Sequence, residues 1–383
     1  MAALYKVLHA PTSTGGNPQG LSSALNSIGV YSRTLSLRQN YFNYSTDHVL
    51  WSENESVFSR ELKRLFALIS VAFTYDVIHY NFGTTIAAPG YCRPSKNAVS
   101  YFLRVVYHKY LNVLQLLELK AYKVLGKSLF VTYQGDDARQ GDYSLAHFKF
   151  SIASQVDEVY YNKDSDEWKR QSIARLCRYC VGIYAVNPDL LYVLPDNAKF
   201  YPYSHISLDD WTPQYTQLEN RKLRIAHAPS HRKAKGTELI LAALDKLKSE
   251  GFEFELVLIE GLSNQAAKKL YETADVFVDQ LFSGWYGGLA VEAMALGKPV
   301  LVYIRSDDLK FIPNEMASDL PFIDVSPDSI ENGLRNLLLM SRDELFALAR
   351  KSRAFVEKWH DPLKIASEMK SNYELELSKR LIS

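Results

Sequence analysis

The stretch GWYGGLAVEAMALGKPVL, Gly284 to Leu301, sets three glycines and two large aromatics ahead of a helix of small residues closed by Gly297. A plain core helix needs no such entry. A loop that must bring its backbone against something polar does. Gly284, Gly287 and Gly288 fall just before or on the first helical turn, where unpaired N–H groups and the positive end of the helix dipole gather. An anion or a sugar hydroxyl can approach such donors when no side chain stands in the way. Glu292 follows about one turn into the helix, and its carboxylate can accept hydrogen bonds from a diol such as ribose. The same glycines would also permit tight helix–sheet packing and nothing more, with Glu292 a surface charge.

Two further loops carry polar or basic residues at the same kind of position. APSHRKAKGTELILAAL (228–244) places Arg232, Lys233 and Lys235 before a helix. An arginine offers a two-pronged phosphate contact and a lysine a point charge, so the trio could neutralise a diphosphate leaving group. A solvated basic surface is the other reading. TSTGGNPQG (12–20) is a strand–glycine loop–helix unit, which reads as a ligand cradle or as a flexible turn. It is neither GxGxxG nor a phosphate-loop lysine motif.

What must position these loops is legible from periodicity. Apolar runs at 5–10, 77–82, 128–133, 158–162 and 182–186 alternate with helical patterns. After a break the runs resume at 223–228, 254–259, 276–280 and 299–304. This alternation predicts parallel strands with crossover helices, and 383 residues are enough for two domains. The segment of about 202–221, rich in proline and polar residues, reads as the linker. Ligands of open parallel sheets bind at the carboxyl ends of the strands, so the loops above are expected to face one cleft.

Composition removes several classes. A net charge of +1 gives no argument for a nucleic-acid partner. No uncharged apolar run is long enough to span a membrane, and the first residues lead into a strand pattern, not a signal peptide. Three cysteines fit a reducing compartment; Cys177 and Cys180 read as packed thiols within a helix, not a metal pair. Asp164 and Asp166 spell DxD ahead of a helix, where Asp is a common capping residue. The segment 98–125 is a long helix with apolar and basic faces, able to pack on its own sheet or to lie on a membrane.

Taken in order, these features resemble the family-4 glycosyltransferases, retaining enzymes that use nucleotide sugars. The likeness spans nearly the whole chain and is most specific in RKAKGTELILAAL and VDQLFSGWYGGLAVEAMALGKPVL, where Glu292, Ala293, Met294, Ala295, Gly297 and Pro299 match the EAMA-x-G-x-P pattern. It implies an α/β GT-B fold: two Rossmann-like doubly wound parallel-sheet domains facing a cleft. The expected division is an acceptor-side domain at 1–202, a nucleotide-sugar domain at 203–360, and a helix at 361–383 packing back toward the first.

By the same resemblance Glu292 holds the ribose, Gly16 sits under the donor phosphate, and Lys235 with Arg232 stabilises the diphosphate. Three departures stand out. Gly284 occupies the place of the family's first Glu, which touches sugar hydroxyls, leaving Asp279, Trp285 and Tyr286 as replacements. Gln134-Gly135 stands where the family has His-Gly, followed by Asp136, Asp137 and Arg139. The N-terminal loop continues as Asn17-Pro18. With His79, the trio Asp136, Asp137 and Arg139 is the candidate acceptor side.

The expected activity is hexosyl transfer from a nucleoside-diphosphate sugar, uridine or guanosine, to a hydroxyl of a glycan or lipid-linked acceptor. It would serve polysaccharide biosynthesis with retention, without cofactor or metal, in the cytoplasm with peripheral membrane contact. A non-catalytic GT-B partner that docks or stabilises another transferase is the alternative. An epimerase of similar shape would need a dense set of catalytic carboxylates and histidines, which the sequence does not show.

Overall fold

The apolar runs form strands because each is flanked by helices long enough to cover both faces of a sheet. The computed structural model describes residues 5–39, 44–93, 97–215 and 221–380. The first lobe holds β1 (Lys6–Ala10), β2 (Tyr31–Ser36), β3 (His48–Val49), β4 (Val77–Asn81), β5 (Ser128–Tyr133), β6 (Gly182–Ala185) and β7 (Lys199–Phe200). They make one seven-stranded sheet in the order β3-β2-β1-β4-β5-β6-β7, every pair parallel. The second lobe holds β8 (Leu223–His227), β9 (Phe254–Leu258), β10 (Val276–Val278), β11 (Val300–Val302) and β12 (Ile323–Asp324). Its parallel order is β12-β11-β10-β8-β9.

One expected strand is absent. Residues 158–162 form a turn leading into a helix, because the Tyr160 and Tyr161 hydroxyls reach back to Asp136 and Asn162 caps the helix instead of pairing in a sheet. Conversely β2, β3, β7 and β12 lay outside the expected set.

The topology dictates where a crevice opens. Strand order reverses between β1 and β4 in the first sheet and between β8 and β10 in the second. The loops leaving β1, β8 and β10 are the three glycine-bearing or basic loops of the sequence, so the switch points of both sheets gather them. The C-terminal helix Pro362–Arg380 packs on helix Asn17–Ser27 of the first lobe. Its Tyr373 hydroxyl lies 2.6 Å from His79 Nδ1, beneath β4.

Two first-lobe helices carry unusual surfaces. Helix Val57–Thr74 exposes Phe58, Leu62, Phe66, Ile69 and Phe73, with Phe66 75% and Phe73 79% exposed. Helix Ala98–Val124 beside it exposes Val99, Phe102, Leu103, Val106, Val113 and Leu117. Glu61 ties them together by accepting from Tyr107, at 2.5 Å, and from Tyr110, at 3.0 Å.

Candidate functional site

The loop after β8 folds into one short helical turn, Arg232–Lys235, ended by Gly236 at φ +79°. A side chain on Gly236 would come within 3.1 Å of Leu281 at a left-handed backbone position, so glycine lets the turn press against the β10 loop without strain. That contact aims Lys235 at its partners: Nζ lies 3.1 Å from Asp279 Oδ1 and 2.6 Å from Gln280 Oε1. Asp279 is wholly buried, and its other oxygen accepts the Gly287 amide at 2.7 Å. Asp279 thus braces the lysine and the helix entry, with both oxygens engaged. Arg232 turns outward, where Glu238 and Glu260 take its guanidinium at about 3.0 Å each.

A cavity of about 240 Å³ opens between the lobes, lined by Gly15, His205, Lys235, Asn264, Gly288 and Glu292 among others. Gly15 and Gly16 both sit at positive φ; Gly15 faces the cavity, while Gly16 backs onto the ring of Tyr44, which also lines it. Glu292 is buried, and burial pushes its carboxyl up to about 7, against the pull of the Asn264 amide that donates to it at 2.9 Å. Apolar Ile259, Leu262 and Ala267 with Tyr271 also line it, surfaces suited to a flat base.

A second cavity, about 230 Å³, adjoins on the first-lobe side and shares Lys235 with the first. Gln134, Asp136, Arg139, Tyr160 and Gly287 line it. It continues through Asp136 and Tyr160 into a groove of about 390 Å³ bearing Tyr91, Arg93 and Trp168. Asp136 accepts from Arg139 at 3.2 Å and from the Tyr160 and Tyr161 hydroxyls. Arg139 is in turn locked to buried Asp189 at 2.8 Å. Asp137 caps its own loop, accepting the Gln134 and Gly135 amides at 3.0 and 2.7 Å, and burial pushes it up to about 7.

The structure therefore brings Lys235, Glu292, Gly287, Gly288, Asp136 and Arg139 to the cleft, with Gly16 one ring behind it. It leaves seven other expected residues elsewhere: Arg232 faces outward, Asp137 caps its own loop and Asp279 is a buried brace, and four more are packed away. Trp285 and Tyr286 are fully buried; Trp285 packs edge-on to Phe200, and the Tyr286 hydroxyl meets His360 Nε2 at 2.9 Å. His79 is held inside the sheet between Tyr373 and Thr132. Gly284 lies against Arg305, whose guanidinium stands 2.5 Å from where a Cβ would be. Arg305 pairs with Asp308 at 2.7 Å and covers the Phe148 ring of the first lobe at 3.6 Å, so a cross-lobe cation fills the space beside the glycine. Asp166 of the DxD caps helix 141–147 by accepting the Asp142 amide at 2.9 Å. Among the described residues no cluster of His, Cys, Asp or Glu is arranged to hold a metal ion.

Sequence reasoning missed His205, Asn264 and Tyr44. Asn264 opens a helix and His205 lies in the linker; neither position has a spacing that would single it out, because chain segments far apart bring them to Glu292.

No family model and no curated protein matches this sequence. Solved structures do match over nearly the full chain. A sucrose-phosphate synthase from Thermosynechococcus elongatus aligns with a TM-score of 0.60 at 15% identity, covering 98% of this chain and 99% of its own. HepE from Anabaena, in complex with UDP-glucose, gives 0.59 at 11% identity, covering 97% and 99%. The catalytic domain of starch synthase IV from Arabidopsis thaliana, bound to ADP and acarbose, gives 0.60 at 11% identity, covering 98% and 100%. Two parallel sheets facing one another across a cleft, with these neighbours along the whole length, make the architecture of this chain GT-B.

Proposed function

We propose that this chain is a retaining glycosyltransferase that moves a sugar from a nucleoside diphosphate to a hydroxyl acceptor without a metal. The observation that carries the reading is Lys235, which lies on the wall shared by two cavities. On one side stand Glu292 and the apolar wall, suited to a ribose and a base; on the other stand Asp136 and Arg139, suited to an acceptor hydroxyl. A diphosphate beside Lys235 would meet its ammonium and the amides at the start of helix Gly288–Ala295, which supply positive potential as the leaving group gains charge. Closure of the lobes would exclude water and limit hydrolysis of the donor. Neighbours that bind UDP-glucose and ADP support a nucleotide donor.

The acceptor, in this reading, is a lipid-linked glycan met at an anionic membrane surface on the cytoplasmic side. The support is the outward face of helices Val57–Thr74 and Ala98–Val124, with three phenylalanines on the first and Phe102 on the second. Helix Ala98–Val124 carries Arg104, Lys109, Lys120 and Lys123 at the surface, while its one carboxylate, Glu118, is buried under the Ile86 and Ala87 amides. Exposed aromatics flanked by unopposed cations match an anionic lipid surface. None of the described helices is long and apolar enough to cross a membrane.

A thermal-shift panel of UDP, GDP, ADP and their glucose conjugates tests the donor site. One base should raise Tm, with release of the free diphosphate on addition of acceptor. A flat response to the whole panel overturns the proposal.

A further inference from the structure

His205 belongs to the segment joining the two lobes, and that segment is gripped from both sides. On the first-lobe side, the Ser204 amide donates to Asn17 Oδ1 at 3.0 Å. Helix Asn17–Ser27 approaches so closely that a Cβ on Gly20 would stand 2.0 Å from the Ser204 carbonyl oxygen and 2.7 Å from the His205 Cα. On the second-lobe side, the imidazole lies 3.5 Å from where a Cβ on Gly288 would be, and 3.6 Å from Glu292 Oε1.

The side chain is only 3% exposed, yet neither ring nitrogen makes a well-formed hydrogen bond; the neighbours of the ring are the backbone of Gly288 and the Glu292 carboxyl at 3.6 Å. Most buried histidines of this chain behave otherwise. His79 bonds Tyr373 and Thr132; His227 bonds the Val278 carbonyl and Thr237; His360 bonds Tyr286 and the Tyr203 carbonyl. His9 also lacks partners, but it sits inside the first sheet against His79. Among the described histidines without a well-formed bond at either ring nitrogen, His205 is the one that lines the cavity holding Glu292 and Lys235. A buried polar group without a partner costs stability, and a site that receives a polar ligand is one place where that cost is recovered.

We infer that His205 is a donor-binding residue whose imidazole hydrogen-bonds a ribose hydroxyl of the nucleoside diphosphate beside Glu292. This rests on the donor site proposed above. A carboxylate that accepts and an imidazole that can both donate and accept, 3.6 Å apart, suit the two adjacent hydroxyls of a ribose. The linker then forms part of the nucleotide site, with Asn17 of the N-terminal glycine loop holding its backbone in place.

The test compares the nucleoside diphosphate that shifts Tm most with its 2′-deoxy and 3′-deoxy analogues, on the full chain and on His205→Phe and His205→Gln. The parent should prefer the ribonucleotide over at least one deoxy analogue by about fivefold to tenfold, as for one hydrogen bond. His205→Phe, which fills the space without a polar atom, should lose that preference, and His205→Gln should keep part of it. Because the readout is a ratio within each variant, general weakening of the fold leaves it unmoved. A His205→Phe protein that discriminates as the parent does overturns the inference while leaving the donor site standing. So does a parent indifferent to both deoxy analogues. A parent that binds no nucleotide overturns both.

Discussion

The two lobes treat apolar helices in opposite ways. Helix Gly288–Ala295 of the second lobe is apolar nearly all round, and Ala290, Val291, Ala293, Met294 and Ala295 are fully buried. Helices Val57–Thr74 and Ala98–Val124 of the first lobe bury one stripe and leave an apolar face outside. The first arrangement fixes a helix so rigidly that its N-terminus and Glu292 become fixed elements of a cavity. The second leaves a surface that nothing among the described residues covers, which in water is unfavourable unless another apolar phase meets it. In the proposed reading, holding the donor and meeting a membrane thus fall to different helices, one in each lobe. Substitutions on the exposed face of the first-lobe helices should be silent in the nucleotide assay, and substitutions around helix Gly288–Ala295 silent in the vesicle assay.

The sharpest way to break that division is Lys235→Ala. Turnover should fall by about 10²–10³, the range for removing one preorganised group at a developing charge, while vesicle binding stays as in the parent. A variant with parental turnover would remove Lys235 from the chemistry.

Next in size is the exposed apolar face of the first lobe. Phe66→Ser, Phe73→Ser and Phe102→Ser combined should lower partitioning onto phosphatidylglycerol vesicles by more than about tenfold, given the apolar area each ring removes from water. The nucleotide-induced Tm shift should not change. Equal partitioning of parent and variant in a flotation assay would leave this face without a lipid role.

Glu292→Gln sharpens the comparison from the other lobe. Burial raises the Glu292 carboxyl to about 7 from an ordinary value of 4.5, so the folded state holds this proton more tightly than the unfolded one. Ionising it therefore costs stability as pH rises from about 4.5 through 7. The Gln variant should match the parent in unfolding free energy near pH 5 and exceed it at pH 8 by about 1–3 kcal/mol, read as a higher Tm. Its nucleotide affinity should be lower at pH 8 by about tenfold and flat across neutrality, where that of the parent rises as the carboxylate forms. Parental Tm and affinity at both pH values would show that this carboxyl faces no ligand.

The smallest effect is expected at Gly284→Ala. Its φ of +76° and the Arg305 guanidinium 2.5 Å from the new Cβ should cost about 1–2 kcal/mol. Nucleotide affinity should hold, since Gly284 does not line the cavity of about 240 Å³ proposed to take the donor. A larger loss of affinity than of stability would tie the Arg305 bridge to the donor site.

How far the sequence could be read depended on the range of the interaction. Lys235 and Glu292 were legible because each lies on a strand–loop–helix unit, and the switch points of parallel sheets bring such loops together. Residues 158–162 misled because a short apolar run carries no period that separates strand from turn. Trp285 and Tyr286 misled for a different reason. Loop aromatics beside glycines suit a sugar as well as a core, and only packing against Phe200, Phe322 and His360 decides between them.

Local pattern was enough to determine two parallel sheets and the glycine loops at their strand ends, since strand and helix periods and turn residues act within a few positions. Which side chains enter the cleft was settled only in three dimensions. Arg232 and Lys235 are three residues apart, yet one meets surface carboxylates and the other Asp279. His205 gained its place beside Glu292 through a contact spanning 87 residues of sequence, fixed by the close approach of Gly20 and Gly288 to the linker.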